Sequence, residues 1–153
     1  MPKIGNKAPI FRGPCTGNKE AYLKDLIGKK VVLYFYPKDS TPGCTTEGQN
    51  FRDLFLKFKK LNTVIFGVSR ESIKSHEKFK EAQGFQFELI SDPEEKICNK
   101  YDVIKEKSMY GRKYMGIDRS TFLINASGKL VKEWRKVKVT GHAEEVLQAV
   151  REI

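Results

Sequence analysis

The sequence predicts an α/β domain with a mixed central sheet flanked by helices on both faces. Three observations carry this expectation: short runs rich in β-branched and aromatic residues, amphipathic stripes between them, and a hairpin followed by a helix at the end of the chain. The 153 residues, 39% of them apolar, suit one domain spanning 1–153 that buries most of its unfolded surface.

The run "VVLYFY" (31–36) has the length and composition of a buried strand, as do "TVIFGVS" (63–69), "FQFELI" (85–90) and "STFLIN" (120–125). Between the first two, Phe51, Leu54, Phe55, Phe58 and Leu61 recur at the steps that place side chains on one helical face. A weaker stripe of Ile73, Phe79 and Ala82 predicts a second helix over about residues 71–83. "SDPEEKICNKY" offers a cap at Ser91 or Asp92, then Pro93 suited to a first turn, then acids that favour the positive helix end. It predicts a short helix carrying Cys98. After "STFLIN", the "ASG" turn and "KLVKEW" read as a hairpin, and Val146, Leu147, Val150 and Ile153 outline a closing helix. The resulting order, β-α-β-α-β-α-β-β-α, is compatible with a thioredoxin-like core. The stretch "IKEKSMYGRKYMGID" (104–118) reads as an extended irregular loop, and no repeat or polar linker divides the chain.

Composition excludes several function classes. The longest clearly apolar run is far shorter than the ~20 residues of a bilayer helix. The start "MPKIGNKAPIF" lacks the apolar region of a secretory leader, so a cytoplasmic protein is expected. Cys15, Cys44 and Cys98 form no C-x-x-C pair, and their odd number suits a reducing compartment. Cys15 falls in an early turn, "GPCTGNKE", where exposure is expected. His76 and His142 show no ligand spacing with the cysteines, so no metal site is expected. His76 reads as a helical surface residue and His142 as part of the last helix's first turn; neither supports a Cys-His hydrolase. The net charge of +10 raises the alternative of a basic nucleic-acid-binding module with an incidental thiol. The lysines are dispersed through several segments without a helix-turn-helix or RNA-recognition signature, and a solvated basic surface is the preferred reading.

The segment with chemical content is "YFYPKDSTPGCTTEGQNF" (34–51). Cys44 falls where a strand has ended and an amphipathic helix is about to begin, so its sulfur is expected to meet unpaired backbone N–H groups and the positive helix end. A free thiol has a pKa of ~8.5, and such a site or a nearby arginine lowers it toward ~3.5–7.5. Pro37 and Pro42 stiffen the loop, Gly43 lets a small molecule approach the backbone, and the Thr41 hydroxyl is placed to point at the same pocket. Free cysteine is also among the most buried residue types, so an inert packing thiol remains the alternative, and local physics does not name a reaction.

The stretch "VVLYFYPKDSTPGCTTEG" closely resembles the peroxidatic segment of peroxiredoxins of the Q type, the bacterioferritin comigratory protein subfamily. Pro37, Thr41 and Cys44 fit the family's P-x-x-x-T-x-x-C pattern. "APIF", "DLIGKKVVLYFYP", "VIFGVS", "LISDPEEKICNKYDV" and "GIDRSTFLINASGKL" resemble their counterparts in the same order. The resemblance implies a thioredoxin-like fold and a thiol peroxidase that uses no metal, haem or flavin. It also implies roles for the matched residues. Cys44 would attack a hydroperoxide and become a sulfenic acid. Arg119, in "GIDRSTFLI", would stabilise the thiolate and the leaving oxygen, Thr41 and the Cys44 N–H would orient the peroxide, and Pro37 would cover the pocket.

Many Q-type members carry a resolving cysteine five residues after the peroxidatic one, where this sequence has Gln49. Cys98, Cys15 and an external thiol are the remaining candidates, with packing the alternative role for Cys98; the reading carried forward is a one-cysteine cycle rescued by thioredoxin, glutaredoxin or glutathione. Glu47 either joins a proton network or only favours the helix start. A monomer or weak dimer is expected. A thiol–disulfide oxidoreductase on the same scaffold is the competing enzyme, disfavoured by the missing C-x-x-C.

Overall fold

The computed structural model describes residues 2–153. In chain order these form β1 (Arg12–Cys15), β2 (Lys19–Tyr22), β3 (Lys30–Phe35), α1 (Pro42–Lys60), β4 (Thr63–Ser69), α2 (Ile73–Gln83), β5 (Glu88–Ser91), α3 (Lys96–Lys100), β6 (Ile104–Met109), β7 (Arg112–Ile117), β8 (Ser120–Ile124), β9 (Leu130–Trp134) and α4 (His142–Arg151). The main sheet has the order β2-β1-β5-β4-β3-β8-β9, with β3, β4 and β5 parallel and the other pairs antiparallel. It is a mixed sheet on a thioredoxin-like plan, as expected.

Central strands need apolar residues on both faces, and β3 supplies them. Val31, Leu33 and Phe35 enter one core, with Ile97, Cys98 and Tyr101 of the α3 region. Val32, Tyr34 and Tyr36 enter the other, with Cys44, Phe51 and Phe58 of α1, Phe79 of α2 and Val146 and Val150 of α4. Helices thus lie on both faces, three of them on the face that carries Cys44.

Two hairpins replace expected loops. The early "GPCTGNKE" turn is the link of β1 to β2, and Cys15, expected to be exposed there, ends a strand and is buried. Gly17 and Asn18 provide the positive φ of 78° and 55° that the reversal requires. The 104–118 stretch is likewise no irregular loop; β6 and β7 pair around Tyr110 and Gly111, with φ of 52° and 78°. Most of its side chains face solvent, so the apolar alternation that marks a half-buried strand is weak.

Other boundaries shift for local reasons. Residues 85–87 precede β5, packing Phe85 and Phe87 after the left-handed Gly84 that closes α2. The short helix starts at Lys96 rather than near Pro93, and the Asp92 carboxylate accepts from the Ile97 and Cys98 backbone N–H groups at 3.1 and 2.8 Å. Ile153 lies beyond α4 and is exposed.

Gly48 illustrates how tightly α1 sits. A Cβ there would overlap Phe85 Cζ, in a ring stacked on Phe87 and edge-on to Phe79. Alanine gains about 1 kcal/mol of helix propensity, whereas overpacking costs about 1–3 kcal/mol. Gly48→Ala is therefore expected to lower stability by up to about 2 kcal/mol, read as a reduced midpoint in urea unfolding.

Candidate active site

The site forms at the carboxyl ends of β3, β4 and β5, the position where open α/β sheets hold ligands. The loop 37–41 leaves β3 there and leads into α1. Thr41 is the N-cap residue in extended geometry (φ −84°, ψ 155°), but its side chain makes no capping bond; its hydroxyl donates instead to the Lys38 carbonyl at 2.8 Å. Pro42 occupies the first helical turn, where a missing N–H costs nothing. The first turn of α1 therefore presents backbone N–H groups without a side-chain cap, and Cys44 lies in that turn.

The β3–β8 register explains how residue 119 reaches residue 44. The strands run antiparallel with Phe35 opposite Ser120, so β8 begins where β3 ends. Arg119, immediately before β8, lies beside the start of α1. Its Nη2 donates to Cys44 Sγ at 3.4 Å, and its Nη1 donates to Glu47 Oε1 at 2.6 Å. Cys44 and Glu47 are three residues apart, one helical step on the same face, so one guanidinium reaches both. Gly43 has a further consequence: a Cβ there would stand 3.2 Å from Arg119 Nη2, so the missing side chain makes room for the guanidinium.

Cys44 is 2% exposed and Glu47 1%, whereas the Arg119 side chain is 17% exposed. Burial pushes the Glu47 carboxyl up to about 7 against the opposing pull of Arg119. Its Oε2 has no protein hydrogen-bond partner among the described residues, and neither has the buried Tyr34 hydroxyl. Pro37 is half-buried at the loop start.

Of the residues singled out in the sequence, Cys44, Arg119 and Gly43 come together, and Thr41 and Pro37 lie in the adjoining loop. Cys15 and Cys98 do not join them. Both belong to the core on the opposite face of the sheet from Cys44, and all three thiols are free. Burial raises the Cys15 thiol to about 11, and burial followed by Asp92 raises that of Cys98 further. Gln49, at the position of the missing local cysteine, donates to Gln83 Oε1 at 2.9 Å and ties α1 to α2.

Sequence reasoning undervalues three groups. Glu47 has two open roles in the sequence, although its spacing from Cys44 is a visible signal. Asp39 carries no signal of its own. His76, which reads as a surface residue, is wholly buried: Nδ1 lies 2.7 Å from Asp39 Oδ2 and Nε2 3.0 Å from the Ile90 carbonyl. The sparse apolar stripe of α2 conceals it, because the packed face of that helix is completed by this polar ring. His142 opens α4 as expected, but it too is buried, with Nε2 2.8 Å from Thr121 Oγ1 and its pKa lowered to about 4 by burial.

Comparison with known proteins shows the family. The AhpC/TSA family profile matches residues 4–133. Peroxiredoxin Bcp of Xanthomonas campestris is 53% identical over 136 residues, covering 89% of this chain and 85% of that protein. Peroxiredoxin Bcp of Bacillus subtilis is 49% identical over 151 residues, covering 99% and 96%. Among solved structures, a cysteine-to-serine mutant of PrxQ from Xylella fastidiosa superposes with a TM-score of 0.94 at 44% identity, covering 99% of this chain and 97% of that one. The Xanthomonas campestris bacterioferritin comigratory protein, whose trapped intermediate and ligand complexes concern alkyl peroxide reduction, gives a TM-score of 0.89 at 50% identity, covering 93% and 90%. The chain belongs to the AhpC/TSA family, among the peroxiredoxins of the Bcp or Q kind, and is a thiol peroxidase that acts on a peroxide and is recharged by a thiol reductant.

Proposed function

We propose that Cys44 is the peroxidatic residue and that it reduces hydrogen peroxide and organic hydroperoxides. The observation that carries this reading is the Arg119 guanidinium donating to the sulfur at the uncapped start of α1. The thiolate attacks the terminal oxygen of the hydroperoxide; an S–O bond forms, the O–O bond breaks, and the departing oxide takes a proton to leave as water or an alcohol. The sulfur is left as a sulfenic acid. Arg119 and the first-turn N–H groups set positive charge where negative charge passes from sulfur to the leaving oxygen. Thr41 keeps acceptor capacity on its hydroxyl while donating to Lys38, which suits it to receive the peroxide O–H. Pro37 covers one side of the pocket and limits water.

A one-cysteine cycle suits the arrangement of thiols. Cys15 and Cys98 lie across the sheet from Cys44, and burial keeps both protonated near neutral pH, the form that does not attack sulfur. An external thiol then attacks the sulfenic sulfur, releasing water and forming a mixed disulfide that a second thiol resolves. Thioredoxin, or glutaredoxin with glutathione, is the proposed reductant, in a cytoplasmic setting and with the protein a monomer or weak dimer. Among the described residues no helix is long and apolar enough to cross a membrane.

One equivalent of hydrogen peroxide added to the reduced protein with a sulfenic-acid trap is expected to place the adduct on Cys44 by peptide mapping. An unmodified Cys44 overturns the assignment, and a Cys44–Cys98 or Cys44–Cys15 disulfide replaces the one-cysteine cycle with a two-cysteine one. Cys44→Ser is expected to abolish turnover, and Arg119→Ala to slow Cys44 oxidation by roughly 10²–10³, as loss of a charge-stabilising donor does elsewhere; stopped-flow oxidation of each variant measures it.

Glu47 yields a test in stability. Its carboxyl stands at about 7 in the folded chain against an ordinary 4.5, so the neutral form is favoured by folding. The contribution is fully present below the unfolded value and is lost as pH rises through the folded one. Between those values this group alone is expected to cost about 3 kcal/mol of unfolding free energy, a slope that Glu47→Gln removes. Urea unfolding at closely spaced pH values compares the two proteins.

A further inference from the structure

The loop between β3 and α1 carries a second buried polar cluster. Asp39, 7% exposed, accepts at Oδ1 from the Tyr36 hydroxyl at 2.6 Å and at Oδ2 from Ser75 Oγ at 2.7 Å. His76 Nδ1 stands 2.7 Å from the same Oδ2, while Nε2 stands 3.0 Å from the Ile90 carbonyl oxygen. Both ring nitrogens are thus within hydrogen-bond distance of a buried oxygen, so the ring is fixed at both ends. Burial alone would raise the Asp39 carboxyl, but hydrogen bonds from His76, Tyr36 and Ser75 outweigh it and hold the group below its ordinary value.

This pair joins four parts of the chain: the 37–41 loop through Asp39, the end of β3 through Tyr36, α2 through Ser75 and His76, and β5 through Ile90. The loop needs such an anchor. Ser40 takes a positive φ of 62°, and the Thr41 hydroxyl bonds only within the loop, to Lys38. We propose that the Asp39–His76 pair, with Ser75, is a positioning element that holds the 37–41 loop in the form from which Cys44 meets peroxide, and whose release admits larger thiol reagents to the sulfur. Cys44 is buried, so the tight loop suits a small peroxide and obstructs a bulky partner; fixing the loop favours the first half of the cycle at the expense of the second.

The proposal rests on Cys44 being the reacting sulfur. In Asp39→Ala, oxidation of Cys44 by hydrogen peroxide is expected to slow roughly ten- to hundredfold in stopped flow. Alkylation of reduced Cys44 by a bulky maleimide, located by peptide mapping, is expected to become faster. Ser75→Ala removes only one of the bonds to Asp39 and is expected to move both rates in the same directions, with oxidation slowed about two- to tenfold; it decides the matter if Asp39→Ala does not fold. A merely structural role lowers the unfolding midpoint without separating the two rates. Variants with unchanged rates, or with oxidation and alkylation falling together, overturn the clasp. A wild-type Cys44 that peroxide leaves untouched overturns the Cys44 assignment instead.

Discussion

The ion pair of Arg119 with Glu47 is the constraint around which the site is arranged. A carboxylate 1% exposed is costly to bury without a partner, and a guanidinium at 2.6 Å is the partner this fold supplies. Because Glu47 lies one helical step beyond Cys44, holding Arg119 on the carboxylate also holds its other nitrogen on the sulfur. Two features of the fold make this possible. The antiparallel register of β3 and β8 brings residue 119 to the end of the sheet where α1 starts, and Gly43 leaves room for the guanidinium. A change in either would separate cation from sulfur.

The sheet also segregates the thiols. Cys44 faces the core built with α1, α2 and α4, whereas Cys15 and Cys98 face the core beneath α3. A disulfide demands Cβ atoms about 3.5–4.5 Å apart, and an intact sheet between the partners is incompatible with that. The raised pKa values of the two remote thiols add a chemical barrier to the geometric one. In the proposed one-cysteine cycle, the absence of a cysteine at Gln49 therefore leaves the second half-reaction to another molecule. Gln49 serves packing instead, through its bond to Gln83.

The legible parts of the sequence are those with strong local signals. Central strands announce themselves through unbroken apolar runs, and the β3–β4–β8 core follows from them. The β6–β7 hairpin escapes because its strands are largely solvated, and β1–β2 because four-residue strands around a Gly-Asn turn resemble a loop. In the site, the P-x-x-x-T-x-x-C spacing leads to Cys44 and its loop, and the family resemblance leads to Arg119. The burial of His76 is not legible. A histidine among lysines and glutamates on a weak stripe gives no local hint that a carboxylate 37 residues earlier will meet it, since that meeting exists only once β3, β5 and α2 share one end of the sheet.

Two buried polar pairs thus bracket the loop, Asp39–His76 before the helix and Glu47–Arg119 just inside it. Their energetics differ from those of the apolar cores. Opening an apolar cluster loses burial with little compensation, whereas opening a buried polar pair returns its groups to water and recovers most of the desolvation cost. Segments held chiefly by such pairs can open locally at a smaller cost than the sheet they rest on. The chain places this kind of attachment around the loop that carries Cys44, and places its dense aromatic packing, Phe51 on Tyr34 and Phe85 on Phe87, along the body of the helix and its supports. In the proposed cycle, a sulfur that excludes water for one step and admits a bulky thiol for the next is best mounted on a segment of the first kind, anchored to a body of the second.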